Sequence, residues 1–164
     1  MKLRRPIFSD KKAILSMYKE FQTSNSPMDG GFYNEKLAFD DWITSNQDYE
    51  MGLSIPDEFV PAVQFVSFDD QGRALGFLHL RLRLNDNLLN RGGHIGYSIR
   101  PSERGKGYAK EQLGLGLIEA KKKNIHRALL TCDRVNDASR KTILTNGGVL
   151  EDIRDDIERY WIEL

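Results

Sequence analysis

The clearest pattern in the chain is an alternation of leucines and polar residues that ends at Leu84. Every second position from 78 to 84 is leucine, and His79, Arg81 and Arg83 lie between them. A period of two is typical of a β-strand with one buried and one polar face. A β-branched and aromatic run, 63–68, precedes this strand across the turn sequence Asp-Asp-Gln-Gly. Together the two segments predict a β-hairpin.

Apolar residues recur every three to four positions in four other segments, which predicts four helices. These segments span residues 9–23, 34–45, 107–124 and 137–146. A cluster of Ser, Asn, Pro and Gly separates the first two, and an irregular stretch, 46–60, follows the second. Long irregular stretches of this kind are often functional.

Short apolar runs predict the remaining strands at 1–8, 92–100 and 128–132, with two more between 149 and 164. The predicted order is therefore β, α, α, β, β, β, α, β, α, β, β. A length of 164 residues is that of one domain. We expect residues 1–164 to form a single domain.

Charge and cysteine content exclude several classes of function. Lys and Arg total 24, as do Asp and Glu, so no net charge attracts the protein to nucleic acid or to an anionic membrane. Cys132 is the only cysteine, which excludes an intramolecular disulfide and a multi-thiolate metal site. No apolar run is long enough for a membrane span, and the amino terminus is unlike a signal peptide. We expect a cytoplasmic protein without metal, membrane or nucleic-acid partners.

One short sequence carries recognisable chemistry, namely Arg104-Gly105-Lys106-Gly107-Tyr108-Ala109. It lies between a predicted strand and a predicted helix, where glycines let consecutive backbone N–H groups point at an anion. Two nucleotide motifs fail here, because Arg100 occupies the first Gly position of a Walker A motif and Lys110 the last position of a dinucleotide fingerprint. From these residues alone, a tight surface turn is the alternative to an anion site.

Residues 98–109 carry the pattern Arg-x-x-Gly-x-Ala after an apolar strand, and in this the chain resembles the GNAT superfamily of acetyl-CoA-dependent N-acetyltransferases. From Gly92 to Gly148 it follows the family's cofactor core in order, including an Asn-x-x-Ser step at Asn136 and Ser139. The rest of the chain agrees in element order only. More narrowly, it is similar to a bacterial branch of this family that carries a Gly-Gly-His-Ile-Gly-Tyr strand.

The resemblance implies an α/β fold of the α+β type. Its mixed, mostly antiparallel sheet has about seven strands, helices on both faces, and a cofactor crevice between splayed strands. It implies acetyl-CoA as cosubstrate, with the pyrophosphate held at residues 104–109 and the pantetheine paired to the backbone of Ser98 and Ile99. It also gives Asn136 a contact with the pantetheine and places Ser139 near the phosphate. From sequence alone, Asn136 is equally a helix cap.

Acetyl transfer to an amine requires a neutral nitrogen, so an ammonium of pKa near ~10 must lose a proton. His94 is the predicted general base, because imidazole titrates near ~6.5 and related transferases place Glu or His at this point of the strand. A histidine with a structural role in the sheet is the alternative. Glu50 and Glu58, which border the expected acceptor site, are the other candidate bases.

Two further residues bear on the mechanism. Many family members carry a tyrosine acid at the position that Ile143 occupies here, so Tyr97 or a water has to serve instead. A lone cysteine at the end of an apolar strand, such as Cys132, is usually buried filler rather than an acyl-enzyme nucleophile. We therefore expect direct transfer within a ternary complex.

The acceptor is the least determined part of the prediction. Arg81 and Arg83 lie in a cationic row that could hold an anionic acceptor, and a solvated face is the alternative. The resemblance implies transfer to a primary amine of a small molecule or peptide. Glu50, Arg81 and Arg83 are the substrate-binding candidates, chosen for their charge and their place in the chain. An acyl-CoA-binding sensor without turnover is the alternative function, and a nucleic-acid-binding domain is a third. A homodimer is left open.

Overall fold

Seven strands and five α-helices follow one another in a computed structural model that describes residues 1–164. The order of strands and helices along the chain is the predicted one, except that the structure has one additional short helix. In chain order the elements are β1 (Lys2–Arg4), α1 (Lys11–Thr23), α2 (Phe39–Met51), β2 (Ala62–Phe68), β3 (Ala74–Arg81), α3 (Asp86–Asn90), β4 (Ile95–Ile99), α4 (Tyr108–Lys122), β5 (Arg127–Asp133), α5 (Asp137–Thr145), β6 (Val149–Arg154) and β7 (Ile157–Glu163).

The strands form two sheets whose neighbours are all antiparallel. One sheet has the order β1-β2-β3-β4, and the other has the order β5-β7-β6. In the first sheet Gln64, His79 and Gly96 lie opposite one another across β2, β3 and β4. No ladder joins β4 to β5. The predicted mixed α/β fold with splayed strands is confirmed.

Helices cover both faces of the four-stranded sheet. Leu78 and Leu80 of β3 are fully buried in a core that they share with Leu113 of α4. Phe77, one residue earlier, faces the opposite way and packs with residues of α1 and α2. The alternation along β3 therefore separates two cores. The alternative prediction, that the polar residues of this strand form a solvated face, is wrong for His79, because this residue is only 8% exposed.

Three element boundaries differ from the prediction. Helix α2 begins at Phe39 and continues to Met51, so it includes part of the segment predicted to be irregular. Strand β3 ends at Arg81, and a short helix, α3, follows because the Asn85 side chain accepts a hydrogen bond from the Leu88 N–H at 2.9 Å and caps it. Strand β4 begins at Ile95 because two positive-φ glycines precede it. None of the helices is long and apolar enough to cross a membrane.

Candidate functional site

The glycine-rich loop presents a row of unused backbone donors. Gly105 and Gly107 have φ values of +76° and +85°, in the left-handed region that favours glycine, and α4 begins immediately afterwards at Tyr108. The N–H groups from Gly105 to Lys110 have no acceptor in the protein. Consecutive free N–H groups at a helix N-terminus are the arrangement that binds phosphate. The loop therefore fits the pyrophosphate group that the sequence predicts.

The side chain of Arg104 holds this loop to the rest of the sheet. Its Nε donates to the Ile99 carbonyl oxygen at 2.9 Å, and its Nη2 donates to the Ser26 Oγ at 2.8 Å. Lys106 forms an ion pair with Glu103 at 2.8 Å. Both cations predicted to bind the cofactor are thus engaged within the protein, which leaves the backbone N–H groups as the principal anion donors.

A carboxylate from α1 fixes the segment just before the loop. Glu20 accepts a hydrogen bond from the Ser102 N–H at 2.6 Å and pairs with the buried Arg100 at 2.7 Å. Burial alone would raise the pKa of Glu20, but the hydrogen bonds from Ser102 and Arg100 outweigh it and lower the pKa to about 2. Glu20 is therefore ionised at neutral pH and anchors the loop to α1.

A cleft of about 340 Å³ lies between β4 and β5, beyond the point where the two sheets meet. Segment 28–32 forms its third wall and rests directly on β4, since a Cβ on Gly30 would lie 2.3 Å from the Gly96 carbonyl oxygen. The Gln64 Nε2 donates to the Gly30 carbonyl oxygen at 2.8 Å and holds this segment in place. Side chains that line the cleft include Asp29, Arg81, Arg91, Tyr97, Thr131, Cys132, Asp133, Asn136 and Ser139.

The edge of β4 that faces the cleft is open. The Arg81 N–H donates to the His94 carbonyl, and the Arg100 N–H donates to the Leu75 carbonyl. Because hydrogen bonding alternates along an antiparallel pair, Ser98 also turns its backbone toward β3, whereas Tyr97 and Ile99 turn theirs toward the cleft. The expectation that the Ser98 backbone pairs with the pantetheine is therefore corrected. The residue that shares the open edge with Ile99 is Tyr97.

Tyr97 brings a hydroxyl group into the cleft. Its oxygen lies 3.2 Å from the Ser139 Oγ, and burial raises the pKa of Tyr97 to about 12. Asn136 caps α5 by accepting the Ser139 N–H at 3.1 Å. The Asn136 Nδ2 makes no hydrogen bond within the protein, so capping leaves a donor available to a carbonyl in the cleft.

His94 lies behind the cleft, at the junction of the two sheets. Its backbone N–H donates to the Leu129 carbonyl at 2.8 Å, and its Nδ1 accepts the Leu129 N–H at 2.9 Å. Gly93 permits this approach, since a Cβ there would lie 2.2 Å from the Leu129 oxygen. Burial, and secondarily Arg81, lowers the pKa of His94 to about 4. His94 as general base stays a prediction, and these surroundings favour the structural alternative.

We expect His94→Asn to retain activity, because the Asn Oδ1 can replace Nδ1 as acceptor for Leu129. The variant should keep kcat within about threefold, whereas loss of a positioned base costs roughly 10²–10⁴-fold. Since the folded pKa lies below that of the unfolded chain, the neutral ring stabilises the fold above pH ~6.5, and this contribution is lost as the pH falls toward 4. Urea unfolding at pH 7 and pH 5 should show a larger acid loss in the wild type than in His94→Asn.

If His94→Asn instead turns over at least about 100-fold more slowly, with stability and acetyl-CoA affinity unchanged, His94 is established as the base. His94→Ala serves as the comparison. It removes the acceptor altogether and should lower both stability and acetyl-CoA affinity.

The structure brings Arg81 to the cleft but not the other predicted acceptor residues. Glu50 lies in α2 and pairs with Arg5 at 2.5 Å and Lys123 at 3.2 Å, so its carboxylate is engaged elsewhere. Glu58 is exposed and Arg83 lies beyond the end of β3. The expectation that these three residues border the acceptor site is therefore corrected.

Cys132 lines the cleft but is poorly suited to attack. Its Sγ donates to the Glu158 Oε2 at 3.6 Å, and Arg140 pairs with the same carboxylate. Burial, together with the neighbouring Glu158, raises the pKa of the Cys132 thiol to about 11. The thiol therefore stays protonated at neutral pH, and only a thiolate is an effective nucleophile.

Sequence reasoning missed the third wall of the cleft. The cluster of Ser, Asn, Pro and Gly between the first two predicted helices indicates only a loop, whereas its segment 28–32 supplies Asp29 to the cleft and covers β4. The available signal was the Gly30-Gly31 pair, because consecutive glycines mark places where backbone approaches backbone. That signal does not reveal which strand the glycines approach.

The splayed sheets, the loop with free N–H groups and the cleft at their junction define the class of protein. Residues 1–149 match the family model of the acetyltransferase (GNAT) domain. The chain therefore belongs to the GNAT acetyltransferase family, and the enzyme class expected from the sequence is confirmed. A comparison with curated protein sequences gave no match.

Solved structures agree with this fold. A ribosomal-protein-S5-alanine acetyltransferase from Vibrio fischeri is 18% identical, with a TM-score of 0.71 over 98% of this chain and 91% of that one. A spermidine N-acetyltransferase from Vibrio cholerae is 20% identical, with a TM-score of 0.64 over 99% and 95%. The protein yncA from Salmonella typhimurium, solved with its cofactor acetyl-CoA, is 15% identical, with a TM-score of 0.64 over 99% and 93%.

Proposed function

We propose that this protein is an N-acetyltransferase that moves the acetyl group of acetyl-CoA to a primary amine of a small molecule or peptide, by direct attack in a ternary complex. The observation that carries the proposal is the row of free N–H groups from Gly105 to Lys110, beyond the end of a strand whose edge is open to a cleft. The donors suit a pyrophosphate, and the open edge suits the amides of a pantetheine arm.

Each binding residue then has a defined role. The N–H groups from Gly105 to Ala109 bind the pyrophosphate, and Arg104 holds the loop in position. Tyr97 offers its backbone N–H and carbonyl to the pantetheine, Ile99 offers its N–H because Arg104 occupies its carbonyl, and Asn136 offers its free Nδ2. Ser139 supports this end of the cleft through Tyr97.

Acetyl-CoA supplies an activated acyl carbon, to which the amine nitrogen bonds as the carbon–sulfur bond breaks. The sulfur departs as a thiolate, and the nitrogen releases one proton to water as it becomes the amide. The amine must reach this carbon neutral, so its proton leaves beforehand. The cleft is open to solvent, and water can carry the proton past the exposed Asp29 at its rim. This route does not require the lone pair on the His94 Nδ1, which Leu129 occupies.

The Tyr97 hydroxyl is the donor for the departing sulfur. A pKa of about 12 keeps Tyr97 protonated at every working pH, so the donor is always present. A thiol has a pKa near ~8.5, and full transfer of the tyrosine proton would therefore be unfavourable. Tyr97 stabilises the thiolate by a hydrogen bond, and the sulfur takes its proton from solvent.

The names of two structural neighbours are compatible with an amine acceptor, since one is a spermidine N-acetyltransferase and another acetylates the alanine of a ribosomal protein. The protonated Cys132 thiol supports direct transfer over an acyl-enzyme. A sensor that binds acyl-CoA without turnover is the alternative that Ile143 favours, because this fully buried residue takes the place of the family's tyrosine acid.

Calorimetry with acetyl-CoA, followed by an assay of CoA thiol release across a panel of amines, tests the proposal. We expect saturable binding below millimolar concentration and thiol release that depends on one class of amine. Binding without release from any amine would support the sensor instead. Absence of binding by protein shown to be folded would remove the cofactor assignment.

A further inference from the structure

Arg81 enters the cleft without a counter-ion. Its Nη1 donates to the carbonyl oxygens of Gly92 and Gly93 at 3.0 and 3.2 Å, and no carboxylate lies within ion-pair distance of it. Two neutral carbonyls position the guanidinium but do not neutralise it. A partly buried cation that lacks an acidic partner is uncommon, and a ligand anion would supply one.

The open side of this guanidinium points over β4. The Arg81 Nη2 lies 3.4 Å from the position that a Cβ on Gly96 would occupy, and Gly96 is next in the chain to Tyr97. Glycine at this position lets the guanidinium lie directly against the strand, where a Cβ would contact both Arg81 and Gly30. An anion bound by this guanidinium would lie beside the Gly96 backbone, and Tyr97 at the open edge is the next residue in the chain.

The other charges in the cleft complete the arrangement. Arg91 and Asp133 lie 3.5 Å apart and form an ion pair. Asp29 forms no ion pair. Burial lowers the pKa of Arg81, and the negative charge of Asp29 is close enough to oppose part of that change. The neighbouring His79 is buried, which holds its pKa at about 3 and leaves the ring neutral. The cleft thus offers one unpaired cation, Arg81, and one unpaired carboxylate, Asp29.

The size of the cleft limits the acceptor. A volume of about 340 Å³ is at the lower end of the range of ~300–1,000 Å³ that ligand sites occupy. Part of this volume must hold the acetyl end of the cofactor. What remains suits a compact molecule rather than a folded protein terminus.

We infer that the acceptor is a free α-amino acid, whose carboxylate binds Arg81 and whose ammonium group enters beside Asp29. This inference rests on the proposed acetyl transfer and adds the substrate class. An amine and a carboxylate on one carbon match a guanidinium that lies against Gly96 beside the open edge at Tyr97, the next residue in the chain. A polyamine has no group for Arg81, and a peptide carries its carboxylate too far from its amino terminus.

Matched pairs of acceptors test the inference. We expect the kcat/KM for phenylalanine, leucine, methionine or serine to exceed that for its decarboxylated amine by about 10²–10³-fold, since the amine leaves the Arg81 charge unpaired. The amino-acid amides should behave like the decarboxylated amines. Calorimetric titration of the preferred amino acid into CoA-bound protein gives a second readout that needs no turnover.

Arg81→Gln should reduce this preference to a few-fold and abolish calorimetric binding of the amino acid, with the affinity for acetyl-CoA unchanged. Arg81→Lys, which keeps the charge but not the planar fork, should retain part of the preference. Arg83→Gln is the matched control, because Arg83 lies two residues further along the chain and outside the cleft.

Equal or better use of the decarboxylated amines, or an unchanged preference in Arg81→Gln, would overturn the inference. Turnover of spermidine or a peptide amino terminus with no turnover of amino acids would overturn it and leave the proposed acetyl transfer standing. Failure to bind acetyl-CoA would instead remove the proposed function itself.

Discussion

Gly107→Val is expected to weaken acetyl-CoA binding by about 100-fold, because a β-branched residue is strained by about 1–3 kcal/mol in the left-handed region. Gly107 has a φ of +85° and immediately precedes the first residue of α4. Relief of the strain turns the adjacent N–H groups away from the position where phosphate would bind. The change in Kd measured by calorimetry reports this effect directly.

Gly72→Val is the matched control for this experiment. Gly72 has a φ of +80° in the turn between β2 and β3, and a Cβ there meets nothing within 4 Å, as is also true at Gly107. The backbone strain is therefore similar, whereas the cofactor loop is untouched. Wild-type affinity in Gly107→Val, or equal losses in both variants, would mean that residues 104–109 form only a surface turn.

Tyr97→Phe is expected to lower kcat by about 100-fold while the KM for acetyl-CoA changes little, as when one positioned donor to a developing negative charge is removed. The backbone of Tyr97 remains in β4, so contacts with the open edge persist. The pH profile should keep its shape, because a hydroxyl with a pKa of about 12 does not titrate in the working range. Steady-state kinetics from pH 6 to 9 measure both quantities.

A tyrosine outside the cleft provides the control for the general effect of removing a tyrosine hydroxyl group from the protein. Tyr33 is 8% exposed within the core between α1 and α2, away from the cleft. Tyr33→Phe should leave kcat unchanged. If Tyr97→Phe also retains full kcat, the departing sulfur has no protein donor and solvent alone suffices.

Local chemistry explains what could be predicted from the sequence. The period of two along β3 is a property of the strand itself, and the glycines at 105 and 107 have a local conformational meaning. Each signal lies within a few residues of the feature that it predicts. The hairpin and the candidate anion loop could therefore be located before any tertiary contact was known.

The catalytic residues could not be assigned in the same way, because their roles depend on distant partners. The structural role of His94 is visible only from its hydrogen bond with Leu129. The Glu50 carboxylate is known to be engaged outside the cleft only from its ion pairs with Arg5 and Lys123. Arg81 and Arg83 look equivalent in the alternating pattern. Strand β3 ends at Arg81, which lines the cleft, whereas Arg83 lies beyond the strand and outside the cleft.

The fate of the acetyl group tests the central claim most directly. Acetyl-CoA labelled with ¹³C in the acetyl group is mixed with excess protein and the best acceptor of the amine panel, and a single turnover is analysed by mass spectrometry. Direct transfer predicts that the label appears on the amine nitrogen as an amide and that the protein stays unlabelled throughout. Label on Cys132 during the turnover, or label released only as acetate, would contradict direct transfer in this cleft.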